Sequence, residues 1–308
     1  MDIGVLAEPA MSGSYVERLL DLTFQLGKGS FGDSGFDTVK FSGLRISAQI
    51  DKANMPTPGA TALIRIYGMT LSQMNELSVA GLLWDNKQNK VRLLAGDAQS
   101  GMSEVFNGDI VEAYPSLNEG ENTSFVVRAL PGVGIMMKPV KPTSIAGSVD
   151  AAQALETILK PTEFKVENSG VTAKLADPYF PGTVWEQASR CVKAADCFGN
   201  LDSTAGVLAI WPKNGSRKTD SVPEISAATG MIGYPEFQQV QVTVRTLLDT
   251  SIRPGTKIRI KSGLSAADGE WNITRIVYML ASKLVNGPWE MSLIANREIG
   301  QGATNGGG

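Results

Sequence analysis

Two distant segments of this chain are close to being the same strand. Residues 90–96 read KVRLLAG and residues 257–263 read KIRIKSG. Both alternate apolar and polar residues, which is typical of a half-buried β-strand. Alternation alone makes any two strands look alike, but it does not require Lys, Arg and Gly in the same order. The repeat therefore constrains the fold strongly, because it predicts one β-module written twice.

The similarity continues on both sides of the repeated strand. Phe106-Asn107 follows the first copy, and Trp271-Asn272 follows the second. Further matches place residues 110–111 beside 276–277, residues 124–126 beside 292–294, and residues 63–66 beside 242–245. A small open sheet exposes two edges that must be paired or covered. Three chains with two modules each would supply six nearly equivalent units, so a ring is a natural assembly.

The residues between the two copies have a different pattern. Helices are predicted from a Ser148 cap to Lys160, and from the Thr183-x-x-Glu186 capping box to about Gly199. Strands are predicted at 164–167 and 207–211. The sequence thus predicts a β-rich α+β chain in four parts: a first β domain at 1–138, an α+β insert at 139–235, a second β domain at 236–299 and a flexible Gly-rich tail at 300–308.

The composition offers little for catalysis or for cofactor binding. The chain has no histidine, which removes the commonest general base and metal ligand, and its two cysteines, Cys191 and Cys197, lack metal-site spacing. We therefore predict no catalytic, cofactor-binding or metal residues, and no cofactor. A net charge of −3 gives no reason to expect specific nucleic-acid binding. No membrane anchor or secretory signal is evident, so assembly in a reducing cytoplasm is expected.

Four features resemble chemical motifs, and each has a structural interpretation that we favour. Residues 27–32 (GKGSFG) match a glycine-rich phosphate loop, but the other kinase motifs and a βαβ unit are missing, so a hairpin loop is predicted. Residues 213–218 (KNGSRK) are predicted to be a solvated basic turn. Cys191 is predicted to be buried on an apolar helix face. The carboxylates that a glycan hydrolase could use are Asp109 with Glu112, and Asp268 with Glu270. Both pairs lie in turns or alternating strands, so they are predicted to be solvated acids.

Several stretches resemble the baseplate hub proteins of contractile-tailed bacteriophages. The resemblance covers roughly residues 40–297, and a related group is found in phage-derived injection and secretion systems. The residues that carry it are 41–50 (FSGLRISAQI), 62–69 (ALIRIYGM), 74–75, 94–96, 105–110 (VFNGDI), 229–235 (TGMIGYP), 242–248 (VTVRTLL) and 254–255. It implies that the two β domains are tube-like β-barrels related by internal duplication.

The same resemblance implies a function and a set of partners. A homotrimeric hub would join a tail tube protein above to a central spike protein below, in a virion tail baseplate. It would contact other baseplate and tape-measure proteins and leave a channel through which DNA passes without specific binding. Residues 230–235 would be a demanding turn at the start of the second barrel, where glycines permit positive φ. The alternatives are the hub of a phage-derived secretion or bacteriocin machine, or a β-rich carbohydrate-binding or glycan-hydrolysing protein.

Overall fold

One large β-sheet dominates the protein. The computed structural model describes residues 16–32, 35–56, 59–78, 89–117, 123–238 and 240–297. Thirteen strands of these residues belong to a single sheet, and three smaller sheets and a few short helices complete the fold. The predicted β-rich class is therefore confirmed. The Gly-rich segment 300–308 lies outside the described residues.

The N-terminal part contributes seven strands to the large sheet. Alternating apolar residues give these strands one buried face, as in β4, where Ala60, Ala62, Ile64 and Ile66 point into the core. The single helix here has the capping box that Thr70 forms with Gln73. The elements are β1 (Arg18–Gln25), β2 (Thr38–Phe41), β3 (Arg45–Ala53), β4 (Ala60–Tyr67), α1 (Leu71–Leu77), β5 (Lys90–Asp97), β6 (Gly101–Ser116) and β7 (Ser124–Leu130).

The middle of the chain forms a helix-and-strand insert with its own apolar cluster. Its central sheet has the order β10-β14-β13, in which β10 and β14 run parallel and β13 pairs antiparallel to β14. The elements are α2 (Val133–Met137), β8 (Thr143–Ser144), β9 (Ser148–Asp150), α3 (Ala151–Leu159), β10 (Lys165–Asn168), β11 (Lys174–Ala176), β12 (Tyr179–Phe180), α4 (Val184–Ala194), β13 (Cys197–Asp202) and β14 (Val207–Pro212).

The two helices that the sequence predicts in the insert, α3 and α4, are present, but one end of each differs from the prediction. Asp150, rather than Ser148, is the N-cap of α3, because Ser148–Asp150 pairs with Lys174–Ala176 as a strand. The helix α4 begins with the predicted Thr183 and Glu186 capping box, yet it ends at Ala194. Residues up to Gly199 do not continue it, because Cys197–Asp202 pairs with β14.

The C-terminal part adds six strands to the large sheet. A 3₁₀ turn at Ala227–Thr229 separates the first two of them. The elements are β15 (Glu224–Ser226), β16 (Met231–Phe237), β17 (Gln241–Leu247), β18 (Lys257–Lys261), β19 (Gly269–Ser282) and β20 (Trp289–Asn296).

Five strands of each part are paired in the same order. The first set runs β3-β4-β7-β6-β5 and the second runs β16-β17-β20-β19-β18, with every pair antiparallel. We call these groups the first and second strand sets. The strand that lies next to the last strand of each set has a different direction in the two sets. β1 runs antiparallel to β5, whereas β15 runs parallel to β18. The pairings form an open path that ends at β16 and β2, and no pair among the described strands closes either set into a barrel.

The observed registers correct the residue alignment of the two sets. The sequence similarity pairs Asn107 with Asn272. In the structure, Asn272 lies opposite Lys257, whereas Asp109 is the residue that lies opposite Lys90. The match of Asn107 with Asn272 is therefore displaced by two positions, and that of Ile110 with Ile276 is displaced by three, because Ile110 takes the place of Ile273. A shift of two residues keeps every side chain on the same face of a strand, so the apolar pattern gives no warning of it.

Residues of both sets belong to one continuous apolar core. The cluster includes residues from β1 to β7 and from β15 to β20, whereas the insert has a separate cluster built around α3, α4, β13 and β14. The predicted burial of Cys191 is confirmed, because this residue lies fully within the insert cluster.

Candidate assembly surface

The two strand sets are joined by a seam between β3 and β19. Eight directly opposed pairs form it, running from Ala53 opposite Arg275 to Ile46 opposite Ser282. Arg275 also forms a two-point ion pair with Asp51 across the seam, with its Nε 2.8 Å from Asp51 Oδ1. A ladder of this length with a buried inner face holds the two sets together as one sheet.

A β-bulge precedes the point where β19 changes partner. Its register against β20 shifts between Ile273 and Arg275; the residues before the shift pair with β18 and those after it pair with β3. The N–H of Ile273 donates to the carbonyl of Thr256 at 2.9 Å. A bulge bends a strand and re-aims its edge. Here it turns the second half of β19 towards β3.

The strand β6 of the first set has the same bulge at the corresponding place. Its register against β7 shifts between Ile110 and Glu112, and the N–H of Ile110 donates to the carbonyl of Asn89 at 2.7 Å. Before the shift, β6 pairs with β5. After it, no strand of the described chain takes the place that β3 takes beside β19. Residues 112–115 therefore have one edge that no described strand covers, and we call it the acceptor edge.

A second edge without a partner among the described strands is that of β16, at one end of the strand path. The strand β16 occupies the position in the second set that β3 occupies in the first, and it pairs with β17 alone among the described strands. We call its outer side the donor edge. Tyr234 on this strand is 74% exposed and Phe237 is 47% exposed. Tyr114 and Leu117, at and just beyond the acceptor edge, are exposed as well.

The stretch 230–235 has the positive φ angles that the sequence predicts, but it belongs to a strand as well as to a turn. Gly230 has φ 100° and Gly233 has φ 71°, and the register of β16 shifts between Ile232 and Glu236. The carbonyl of Gly230 accepts a hydrogen bond from Leu247 N at 2.9 Å. A left-handed residue with a side chain would be strained at Gly230. These glycines therefore fix how the donor edge begins.

A buried ionic cluster connects the insert to both strand sets. Arg217 is 2% exposed, and its guanidinium donates to Glu167 at 2.7 and 2.8 Å and to Asp202 at 3.0 Å. Arg253, in the loop before β18, lies 3.5 Å from the same Asp202 carboxylate. The prediction that residues 213–218 form a solvated turn is wrong for Arg217. Sequence reasoning missed it because its acidic partners are distant in the chain.

The cluster perturbs the ionisation of its members. Burial opposes ionisation of Asp202, but the charges of Arg217 and Lys52 outweigh it and lower the pKa of this carboxyl to about 2. Burial lowers the pKa of Lys52 to about 8, although Asp202 acts in the opposite direction. The ammonium of Lys52 lies 5.2 Å from the centre of the Tyr278 ring, at the seam. The cluster thus ties the orientation of the insert to the seam between the sets.

The carboxylates of the hydrolase alternative each have a structural partner. Asp109 is buried, so the prediction of a solvated acid is wrong for this residue. It accepts a hydrogen bond from the N–H of Val133 at 2.9 Å, and burial raises its pKa. Glu112 is paired with Arg128 at 3.3 Å.

The second pair is engaged in the same way. Asp268 accepts hydrogen bonds from the N–H and the hydroxyl of Ser262, and Glu270 is paired with Arg259 at 2.7 Å. The backbone and hydroxyl hydrogen bonds from Ser262 lower the pKa of Asp268. The pKa of Glu270 is lowered as well, by its hydrogen bond with Arg259, so the environment does not push the pKa values of this pair apart as an acid and a base would need.

The remaining motifs occupy structural positions. The glycine-rich segment 27–32 lies in the loop between the antiparallel strands β1 and β2, as predicted. Burial raises the pKa of the Cys191 thiol to about 12 and that of Cys197 to about 11. Within the described ranges no group of three Cys, Asp or Glu side chains is arranged to hold a metal ion. No helix of those ranges is long and apolar enough to cross a membrane.

A large cleft lies between the first strand set and the insert. Its volume is about 2030 Å³, and its lining includes Lys90, Glu104 and Glu163 together with parts of the β1–β2 loop and α2. Ser78 and Asn89 also line it. These two residues border segment 79–88, which lies outside the described residues. Because one wall of the cleft is therefore incomplete, we infer no ligand for it.

Solved structures with the same fold are tail and secretion-system proteins. A tail protein from Neisseria meningitidis MC58 matches with a TM-score of 0.59 at 10% identity, over 90% of this chain and 97% of that one. The 43 kDa tail protein of prophage MuSo2 from Shewanella oneidensis matches with a TM-score of 0.57 at 11% identity, over 92% and 97%.

A third match comes from a secretion system. The E. coli c3393 protein, a component of the type VI secretion system with structural similarity to T4 bacteriophage tail proteins gp27 and gp5, matches with a TM-score of 0.51 at 10% identity, over 93% and 75%. No protein-family model matches the sequence. No curated protein matches it either. The chain therefore has the fold of these tail proteins, at a sequence identity that speaks for the fold alone.

Proposed function

We propose that this protein is a non-enzymatic structural subunit of a phage tail, and specifically a baseplate hub. Three chains would form a ring that joins the tail tube to the central spike in the virion, with a channel for DNA. Its fold, shared over nine-tenths of the chain with two tail proteins, supports the tail assignment. The observation that carries the ring is the pair of strand sets with one order, joined by the seam between β3 and β19. The corresponding edges, on β16 and on the second half of β6, are unpaired among the described strands.

The two strand sets are, in this proposal, duplicated tube-like β-barrel modules. A chain with two such modules lets three subunits match a hexameric tube on one side and a threefold spike on the other. The domains would be those that the sequence delimits, at 1–138, 139–235 and 236–299. Two strands that this division assigns to the insert, β15 and most of β16, pair with the second set. The insert, fixed to the sheet by the Arg217 cluster, would face neighbouring baseplate proteins.

A phage-derived injection machine is the second candidate. The likeness to a type VI secretion component favours it, because that protein has the same fold over 75% of its length. The ring and its partners would be similar in both cases. Binding to a phage tube protein or to a secretion-system tube protein would separate the two candidates.

The oligomeric state and the partners test this proposal together. We expect native mass spectrometry of the purified chain to give three times the 32.7 kDa subunit mass. We also expect the chain to co-purify with a tube protein and a spike protein when the three are expressed together. A stable monomer or dimer that also fails to retain both partners would overturn the proposal. Glycan turnover sensitive to Asp109 or Asp268 would support the hydrolase alternative instead.

A further inference from the structure

Phe237 occupies a position that is buried in the other strand set. Rows of directly opposed residues run across four strands of each set, starting from the isoleucine before the shared bulge. The first row is Ile110, Ala129, Ala62 and Ile50, and the second is Ile273, Ala295, Val242 and Phe237. Seven of these eight side chains are buried, and Phe237 is the exception.

The reason for this difference is the strand that lies next to Ile50. Ile50 is opposed by Tyr278 of β19, so its row continues across the seam and the side chain is completely buried. Phe237 is the last residue of its row in the described chain. An aromatic side chain at a core position of an edge strand marks a surface that a further strand would cover.

The residue that corresponds to Tyr278 lies on the acceptor edge. Tyr278 is three residues past Arg275, the first residue after the bulge of β19. Pro115 is three residues past Glu112, the first after the bulge of β6. Phe237 corresponds to Ile50, and Pro115 corresponds to Tyr278. A strand pairing like that of Ile50 with Tyr278 would therefore place Phe237 opposite Pro115. Within one chain six strands of the pairing path lie between β16 and β6 and the two edges are not paired with each other, so the partner that we infer is another copy.

We propose that the donor edge of one chain pairs antiparallel with the acceptor edge of a second copy, with Phe237 opposite Pro115. This inference rests on the proposed ring and specifies its contact. Each chain gives one edge and receives one, so the interface is head-to-tail and closes when the last copy meets the first. In a trimer, three such inter-chain seams would alternate with the three β3–β19 seams.

Two prolines make the inter-chain seam weaker than the internal one. Pro115 lies on the acceptor edge and Pro235 on the donor strand, and neither has an N–H to give to a ladder. Prolines on edge strands also prevent indiscriminate pairing. The seam between copies would therefore depend on the apolar contacts of Phe237, Tyr234 and Tyr114 more than on backbone hydrogen bonds.

The register can be tested by cross-linking two positions that it places opposite each other. With Phe237 opposite Pro115, Gln238 lies opposite Tyr114, and both are exposed. Opposed residues of antiparallel strands have Cα atoms about 4.5–5.5 Å apart, within the range of a disulfide. The double variant Tyr114→Cys/Gln238→Cys should form disulfides between chains. The native cysteines are buried and do not compete.

Matched variants control for folding and for random oxidation. Gln49→Cys/Met279→Cys, an opposed pair in the internal seam, should form a disulfide within one chain and leave the mass of the denatured chain unchanged. Tyr114→Cys/Leu247→Cys combines two exposed positions that the register does not bring together and should form none. Ser116→Cys/Glu236→Cys tests the same register two residues away, within β6 and β16, and replaces the first variant if that one does not fold.

The outcomes separate this inference from the proposed ring. Covalent dimers and trimers on non-reducing gels for the register pairs alone, in a protein that is trimeric by native mass spectrometry, support both. A trimer in which neither register pair cross-links overturns the edge pairing and leaves the ring intact. A protein that stays monomeric and forms no inter-chain disulfide contradicts the ring and the pairing together.

Discussion

Removing the buried cation of the insert should destabilise the protein strongly. In Arg217→Met, the carboxylate of Asp202, 6% exposed, loses its 3.0 Å partner, and Glu167 loses two hydrogen bonds. Deleting one member of a buried ion pair typically costs about 3–5 kcal/mol. Arg253 remains 3.5 Å from Asp202, and Glu167 is partly exposed and can be hydrated. We therefore expect the lower end, a loss of about 3 kcal/mol in the free energy of unfolding.

Urea unfolding followed by circular dichroism and by tryptophan fluorescence measures this loss. Coincident transitions by the two probes show that one free energy describes the change. Trp211 reports on the insert, since it is buried in β14. Lys213→Met is the matched control: Lys213 is in the same basic segment, and its ion pair with Asp196 is exposed. An exposed pair contributes about 0–1 kcal/mol, so this variant should unfold almost like the parent.

Acid titration supplies a second readout for the same variant. Because the pKa of Asp202 is about 2 in the folded protein and about 4 when unfolded, its ionised form adds stability above pH 4. That contribution, about 2 kcal/mol, is lost as the pH falls from about 4 to 2. In Arg217→Met the pKa of Asp202 should rise, so this part of the acid dependence should shrink. Arg217→Met/Asp202→Asn should recover part of the loss.

The reasoning would be refuted by a small effect. If Arg217→Met lowers the free energy of unfolding by less than about 1 kcal/mol, the pair is not a strong buried interaction. An unchanged acid dependence in this variant would refute the account of the Asp202 pKa.

Three further predictions concern a glycine, an edge residue and the thiols. Gly255→Ala should lower the free energy of unfolding in urea by about 2 kcal/mol more than Gly263→Ala does. Both residues have positive φ, but only at Gly255 would the new Cβ lie 2.5 Å from the Trp211 ring. Equal losses in the two variants would contradict this. Phe237→Glu should abolish the trimer in native mass spectrometry and leave the unfolding of the monomer nearly unchanged. The control Val285→Glu, at a site 90% exposed, should leave the trimer intact. A Phe237→Glu variant that is still trimeric would contradict the proposed edge pairing. Ellman's reagent should titrate no thiol in the native protein and both in urea, since burial raises the pKa values of Cys191 and Cys197; rapid native labelling would show that the insert opens.

The sequence predicts much of the fold because its local signals agree with tertiary packing. The capping box of Thr183 and Glu186 marks the start of α4, and alternating residues mark β5 and β18. The repeat indicates two similar groups of strands, and the pairing orders match. Their common ancestry and closure into barrels stay predictions.

What the sequence misses depends on contacts between distant residues. Cys197–Asp202 carries no clear alternation, and only its pairing with β14 makes it a strand. Met231–Phe237 contains a glycine and a proline, so it is typical of a turn, yet it pairs with β17 around a bulge. Arg217 looks like one cation of an exposed turn, and only the fold brings it to Glu167 and Asp202.

The most direct test of the central claim is a reconstruction of the assembled particle by cryo-electron microscopy without imposed symmetry. The account predicts three copies of the chain around a channel, six similar strand sets in the ring, and β16 of each chain beside residues 112–115 of the next. A ring in which the two sets of one chain occupy dissimilar environments, or an assembly with another number of copies, would contradict it.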